Sequence, residues 1–272
     1  MGIYNTIGPF IASIISIMTG YLASENWKSA FSYFWIMVPL VIATVFFIPD
    51  MEGKKEKQIE ERGNQPEKTA GEKVSLGVNF WIMAGYCFLI FLSGMSIATF
   101  RSTYIAEHEL GTSVCSGYAT AVATYGSLAG SLVFGFLYGK LKRHIMELVV
   151  GCYIVACALF YFVPGGAAFL IATFIAQFAF GTLFVFIFVY YPLLTSKAAA
   201  SKAIGLATAV QAAATFFPTY FVTGLQSVLG TDSFTALMPI LCGIIVVVGA
   251  AEIFLPKKLK SEYAQAGEKT EG

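Results

Sequence analysis

The chain is built from long apolar blocks separated by short polar breaks. Eight blocks reach or approach the ~20 residues that carry an α-helix across a bilayer. They cover 3–23, 30–49, 78–103, 114–139, 145–163, 167–191, 203–227 and 233–255. Turn residues mark the breaks near Gly20–Ser29, at Pro164-Gly165-Gly166 and over Leu229–Ser233. The pattern predicts an all-α, polytopic membrane protein with eight transmembrane helices. One long polar segment interrupts it, from Met51 to Ser75, where 12 of 25 residues are charged and none is aromatic. Such a segment cannot bury a core and is expected to be a solvated, mostly disordered linker. It leaves two apolar blocks before it and six after it.

Polar positions inside the blocks sort the helices further. The second, fifth and eighth blocks are apolar nearly all round, which predicts helices that face lipid. The others carry polar stripes at helical spacing. Asn79, Tyr86, Ser93, Ser96 and Thr103 share a face of the third block; Thr120, Thr124, Ser127 and Ser131 share one on the fourth. The sixth aligns Thr173, Gln177, Gly181 and Tyr191, and the seventh aligns Thr208, Gln211, Thr215 and Thr219. After the linker the order is striped, striped, apolar, and then the same again. This is a three-helix repeat of the kind found in secondary transporters. Before the linker only the last two members of such a triplet are present, as though helices preceded them.

Composition agrees with a membrane protein. The chain is 57% hydrophobic and 12% charged, against about 25% charged in soluble domains. The net charge of +1 and the absence of a basic patch give no reason to expect a nucleic-acid partner. The lipid bilayer and a small-molecule solute are the expected partners. If the linker is cytoplasmic, 15 of the 17 Lys and Arg residues fall on that side, leaving Lys28 and Arg101 outside. The positive-inside rule then places both termini in the cytoplasm, in a multi-pass protein expected at the cell membrane. The first block lacks the basic residues that precede a signal-peptide core, and its apolar run is too long for one. The five cysteines are odd in number, lie in or beside apolar blocks and show no metal-ligand spacing. They are read as small apolar fillers, and no metal or cofactor is expected.

Several residues are candidates for function. Gln177 and Gln211 carry the amides near the middle of a membrane block, and a buried amide needs hydrogen-bond partners. Either they line a polar cavity and touch a solute, or they bond between helices. Tyr86 and Ser93 are cavity candidates or packing residues. Arg101 is either a cation that faces the cavity and binds an anionic substrate, or a snorkelling residue that pairs with Glu107. Gly8-Pro9 and Pro218 either bend helices so that two halves can rock, or serve packing alone. Gly126-x-x-x-Gly130 and Gly135-x-x-x-Gly139 predict close helix approach. Glu107-His108-Glu109 reads as an outer loop. Glu147 and Glu252 lie near helix ends, as do His108 and His144. A membrane enzyme, such as an intramembrane protease, needs ionisable groups facing one another inside the bilayer, and the blocks supply no such set.

Four motifs resemble the major facilitator superfamily. Gly8-Pro9-Phe10-Ile11-Ala12 resembles the Gly-Pro signature of that family's fifth helix. Trp27-Lys28-Ser29-Ala30-Phe31 resembles the Trp-Arg-x-x-Phe between its fifth and sixth helices. Pro49-Asp50 resembles the exit of the sixth, and Gly135-x-x-x-Gly139-Lys140-x-Lys142-Arg143 resembles the basic loop after the eighth. Tyr4 stands where the first motif has a glycine, and Gly139 and Lys142 replace an Asp and a Gly of the loop. Neither antiport nor the usual charge lock of that loop is therefore implied.

The resemblance covers helices five to twelve of a twelve-helix fold. It implies an incomplete bundle: 1–50 as the last two helices of an N-terminal half, 51–77 as cytoplasmic linker, 78–255 as a six-helix C-terminal half, and 256–272 as tail. It also implies alternating access around a cavity lined by the matches to helices seven and ten, which favours Gln177. Gln211 falls on the match to helix eleven, more often an interface between halves. Four further helices would be absent, including two that line the cavity. The expectation is a transporter of a small organic solute, or its C-terminal portion. It would be inactive alone unless joined by a missing N-terminal portion or a second copy. The alternative is a transport-incompetent scaffold or remnant, and Met1 is then either a true start or an internal methionine.

Overall fold

The computed structural model describes residues 2–36, 38–39, 41–42, 78–141, 144–163, 165–195 and 200–253. The linker, the second half of the second block, Arg143 and the C-terminal tail lie outside them. So do Pro49-Asp50 and Lys142.

Among the described residues the chain is helical throughout, and most breaks fall where the backbone chemistry requires them. α1 runs Gly2–Glu25 and continues unbroken through Gly8 and Pro9. A 3-10 helix, Trp27–Ile36, opens the second block. The third block divides into α2 (Val78–Thr99) and the short α3 (Arg101–Glu107), hinged at Phe100. α4 is the longest helix, Ser113–Leu141. α5 (Ile145–Phe162) and α6 (Gly166–Tyr190) follow. The seventh block divides into α7 (Ala200–Phe216) and α8 (Pro218–Leu229), and α9 spans Met238–Ile253 after a 3-10 turn at Thr235–Leu237.

The division at Pro218 has a direct cause. Proline has no N–H to continue the ladder and its ring crowds the preceding turn. The flanking bonds Phe217 N–H to Ala213 O (3.1 Å) and Phe221 N–H to Phe217 O (2.9 Å) join α7 to α8 across the break. At Phe100 no proline or glycine intervenes; ψ rises to 15° there. Serine hydroxyls that bond back into their own turn can bend helices, and Ser96 Oγ donates to Leu92 O at 2.7 Å just upstream.

Four helices, within 80–99, 113–141, 145–162 and 166–190, are long and apolar enough to cross a membrane. Shorter apolar helices cover 10–24 and 235–250. The two blocks expected to meet lipid that are described keep one open face each, at Val155 and Phe162 on α5 and at Val246 and Val247 on α9. Their other faces pack: α5 against α6 and α9, and α9 also against α2. The core holds Phe80, Phe91, Tyr153, Phe169 and Phe186, all almost fully buried. Tyr104 stacks on Phe169 with ring centroids 5.4 Å apart, and its hydroxyl donates to Phe160 O at 2.6 Å.

α4 organises the rest. It packs along α6 on one side and α1 on the other. Toward α6, Gly126 and Gly130 meet Phe174 O and Phe178 O, and Gly181 of α6 meets Ser127 O. A side chain at any of the three would overlap backbone. Ser131 Oγ donates to Gly181 O at 3.2 Å. Toward α1, Gly20 and Gly117 sit back to back, and Ser113 Oγ donates to Gly20 O at 3.1 Å. Two hydroxyl pairs add to this seam: Tyr21 with Tyr118 at 2.8 Å, and Ser13 with Tyr125 at 2.9 Å. Each such polar tie between membrane helices is worth about 0.6 kcal/mol.

The second glycine pair behaves differently. Around Gly135 and Gly139 a Cβ would meet nothing within 4 Å, so this pair makes no helix contact among the described residues. Thermal unfolding of the purified chain should separate the two pairs. Gly130→Val and Gly181→Val should destabilise by about 1–3 kcal/mol through overpacking. Gly135→Ala should stay within about 1 kcal/mol of the wild type. Equal losses at Gly130 and Gly135 would contradict the packing described.

Candidate functional site

The hydroxyls of the α4 stripe are spaced so that they project along one side of the helix. Thr120, Thr124, Ser127 and Ser131 all open onto one half-open cavity of about 720 Å³. α2 contributes Met95 and Ala98, α3 contributes Arg101, and α6 contributes Gln177, Phe180 and Phe184. The wall is mostly apolar, with a few converging polar groups, as in small-molecule sites generally.

Each polar group is positioned by its backbone. Thr120 and Thr124 donate into their own helix, to Ser116 O and Thr120 O, both at 2.9 Å. Their protons are thereby spent, and the oxygens remain as acceptors. Gln177 emerges beside Gly126, where an added Cβ would lie 3.2 Å from the Gln177 Cβ. The missing side chain at Gly126 thus lets the α6 backbone come close at the position from which Gln177 branches. Arg101 follows the Phe100 hinge directly. Its guanidinium donates to Ala119 O at 3.1 Å across to α4, and back to Ala98 O at 3.3 Å. It does not pair with Glu107, and no carboxylate lines the cavity among the described residues.

The model of the Major Facilitator Superfamily matches residues 1–219, a span that holds every residue lining the cavity. The chain belongs to that superfamily. It is an integral, multi-pass membrane protein. No curated protein sequence matches it. Among solved structures it is similar to a bacterial homologue of the human lysosomal transporter Spinster, in an inward-facing and unoccupied conformation. That likeness has 12% identity and a TM-score of 0.38, over 70% of this chain and 47% of the other. The chain therefore spans about half the length of that protein.

Within this superfamily member the expected site residues fall into two groups. Arg101 and Gln177 both line the cavity. Tyr86, Ser93 and Gln211 are elsewhere. Tyr86 is buried in the core, and Ser93 faces a separate apolar cleft with Phe221 of α8 and Ile240, Gly243 and Ile244 of α9. Gln211 is buried on α7, which packs against α2. The stripe on the third block marks a buried face, and here α8 and α9 do much of the burying. Spacing alone cannot tell a helix-covered face from a solute-covered one.

Of the motif residues, Trp27 is two-thirds exposed, with Lys28 Nζ 5.7 Å from its ring centroid. Lys140 is exposed and its Nζ lies 4.5 Å over the Phe136 ring. Pro218 is buried at the start of α8. The aromatic wall, Phe180 and Phe184, lies outside the polar stripe that marks α6 in the sequence. Its i, i+4 spacing is a usable signal, but 25 phenylalanines spread along the chain conceal it.

Glu107, at the far end of α3, caps the start of the last helical segment. Its carboxylate accepts from the Phe234 N–H, from the Thr235 N–H (3.0 Å) and hydroxyl (2.6 Å), and from Ser233 Oγ (3.2 Å). His108 Nε2 lies 3.0 Å from the same Thr235 hydroxyl. Burial by itself raises the Glu107 carboxyl, but these hydrogen bonds outweigh it and hold it below the usual carboxylate range. The tie therefore contributes fully above the unfolded value of about 4.3 and is lost as pH falls through the lower folded value. Glu107→Gln should cost about 1 kcal/mol at neutral pH, as for loss of a helix cap. The gap from wild type should close below about pH 4 in melting curves taken across pH; a gap independent of pH would contradict the role of the carboxylate.

Proposed function

We propose that this chain carries the C-terminal bundle of a secondary transporter, and that it moves a small organic solute by alternating access. The observation that carries the reading is the cavity. In helices that are otherwise apolar, hydroxyls from α4, an amide from α6 and a guanidinium from α3 converge on one space. Polar groups at membrane depth are costly unless they are paired or line a solute path. Gln177 and Arg101 would contact solute. The glycine seam between α1 and α4 would be the surface on which the two halves move, with the linker and both termini in the cytoplasm.

A second reading rests on the shape of the same cavity. Its described walls come from one bundle and it is half-open. Transport would then require further helices, supplied by an N-terminal portion or a second copy, and the chain alone would be a transport-incompetent scaffold. Vesicles containing only this chain should show no saturable uptake under this reading. Robust uptake by the chain alone would remove it and leave the first.

Access to the cavity separates both readings from simple packing. Ser127→Cys should react with a membrane-impermeant thiol reagent about tenfold or more faster than Ser93→Cys, because reaction tracks exposure of the thiolate. The native cysteines, half-buried or buried, set the background. Equal rates at the two positions would count against a solute path along α4.

A further inference from the structure

Arg101 presents an unbalanced positive charge to the cavity. A guanidinium has five N–H donors. Two are used, on Ala119 O and Ala98 O, and both acceptors are neutral carbonyls. Among the described residues no Asp or Glu lines the cavity and no carboxylate pairs with Arg101. The same two bonds fix the guanidinium, one to its own helix turn and one across to α4, so it is held at the wall rather than free to reach the outer interface. Around it the Thr120 and Thr124 hydroxyls have already donated elsewhere, and α6 adds the apolar Phe180 and Phe184 beside the neutral Gln177 amide.

We propose that the cavity selects an amphipathic organic monoanion, with its anionic group on Arg101 and its apolar body along Met95, Leu128, Phe180 and Phe184. This rests on the cavity being the solute site. A cation without a counter-ion in a low-dielectric space is a poor place for a second cation and a good one for an anion. The planar fork of arginine suits a carboxylate better than a point charge does, and charge-assisted bonds to it are the stronger kind. The Gln177 amide, half-buried beside the hydroxyl stripe, offers both a donor and an acceptor to a neutral polar group on the same solute.

The test is calorimetric titration of the purified full chain with three probes of one shape: benzoate, benzyl alcohol and benzylammonium. Benzoate should bind saturably and benzylammonium should not. Arg101→Gln should weaken benzoate by about tenfold or more and leave benzyl alcohol within about twofold. Arg101→Lys should fall between, which shows that the fold survives change at this position. Ser127→Trp, which fills the cavity, should abolish binding of both benzoate and benzyl alcohol. The proposal is overturned if benzoate does not bind, if benzylammonium binds as well, or if Arg101→Gln binds benzoate like the wild type. Benzyl alcohol bound by the wild type and lost in Ser127→Trp would in those cases keep the cavity as a solute site without anion selectivity. Binding of all probes unaffected by Ser127→Trp would remove the cavity reading itself.

Discussion

The close approach of α4 to its two neighbours is the constraint on which the other features depend. In a bilayer there is no hydrophobic force pulling helices together, because lipid tails are as apolar as leucine side chains. Association rests on dispersion contacts and on a few polar ties, and both need short distances. The glycines at 20, 117, 126, 130 and 181 provide them by removing the side chains that would hold the backbones apart. α6 and α1 are thereby fixed on opposite sides of α4. The hydroxyl face left uncovered between them is the face that opens onto the cavity. Glycine on two sides of one helix thus decides where its third side points.

Much of this was legible in the sequence. Block lengths gave most of the described helices to within a few residues, although the third and seventh blocks each divide in two and the second opens as a 3-10 helix; the superfamily followed from the order and placement of four weak motifs. The stripe at Thr120, Thr124, Ser127 and Ser131 was recognisable from spacing, and its residues do line one space. The Gly126 and Gly130 pair was recognisable for the same reason, since a small residue every fourth position marks one side of a helix.

What was not legible has physical reasons. The break at Phe100 has no proline or glycine to announce it, so the sequence places Arg101 within one continuous block, 78–103. Gly135 and Gly139 repeat the spacing of a contact pair, yet among the described residues no neighbour meets them; spacing names a face and leaves its partner open. Tyr86 and Ser93 fail as cavity markers on the same ground, because α2 has buried faces on more than one side. Glu107 is the opposite case. Its role as a cap for a segment more than a hundred residues away depends on tertiary placement, and no local pattern encodes that.

The break at Phe100 has a structural consequence. α3 is seven residues long, about 10 Å at 1.5 Å per residue. Its first residue is the guanidinium in the cavity, and its last is the carboxylate that clasps the start of the final helical segment. The i to i−4 bonds that flank Phe100 carry the ladder from α2 into it. One short piece of helix therefore supplies both a polar wall of the cavity and the seat of the final helical segment, and a change in its length would displace the two together.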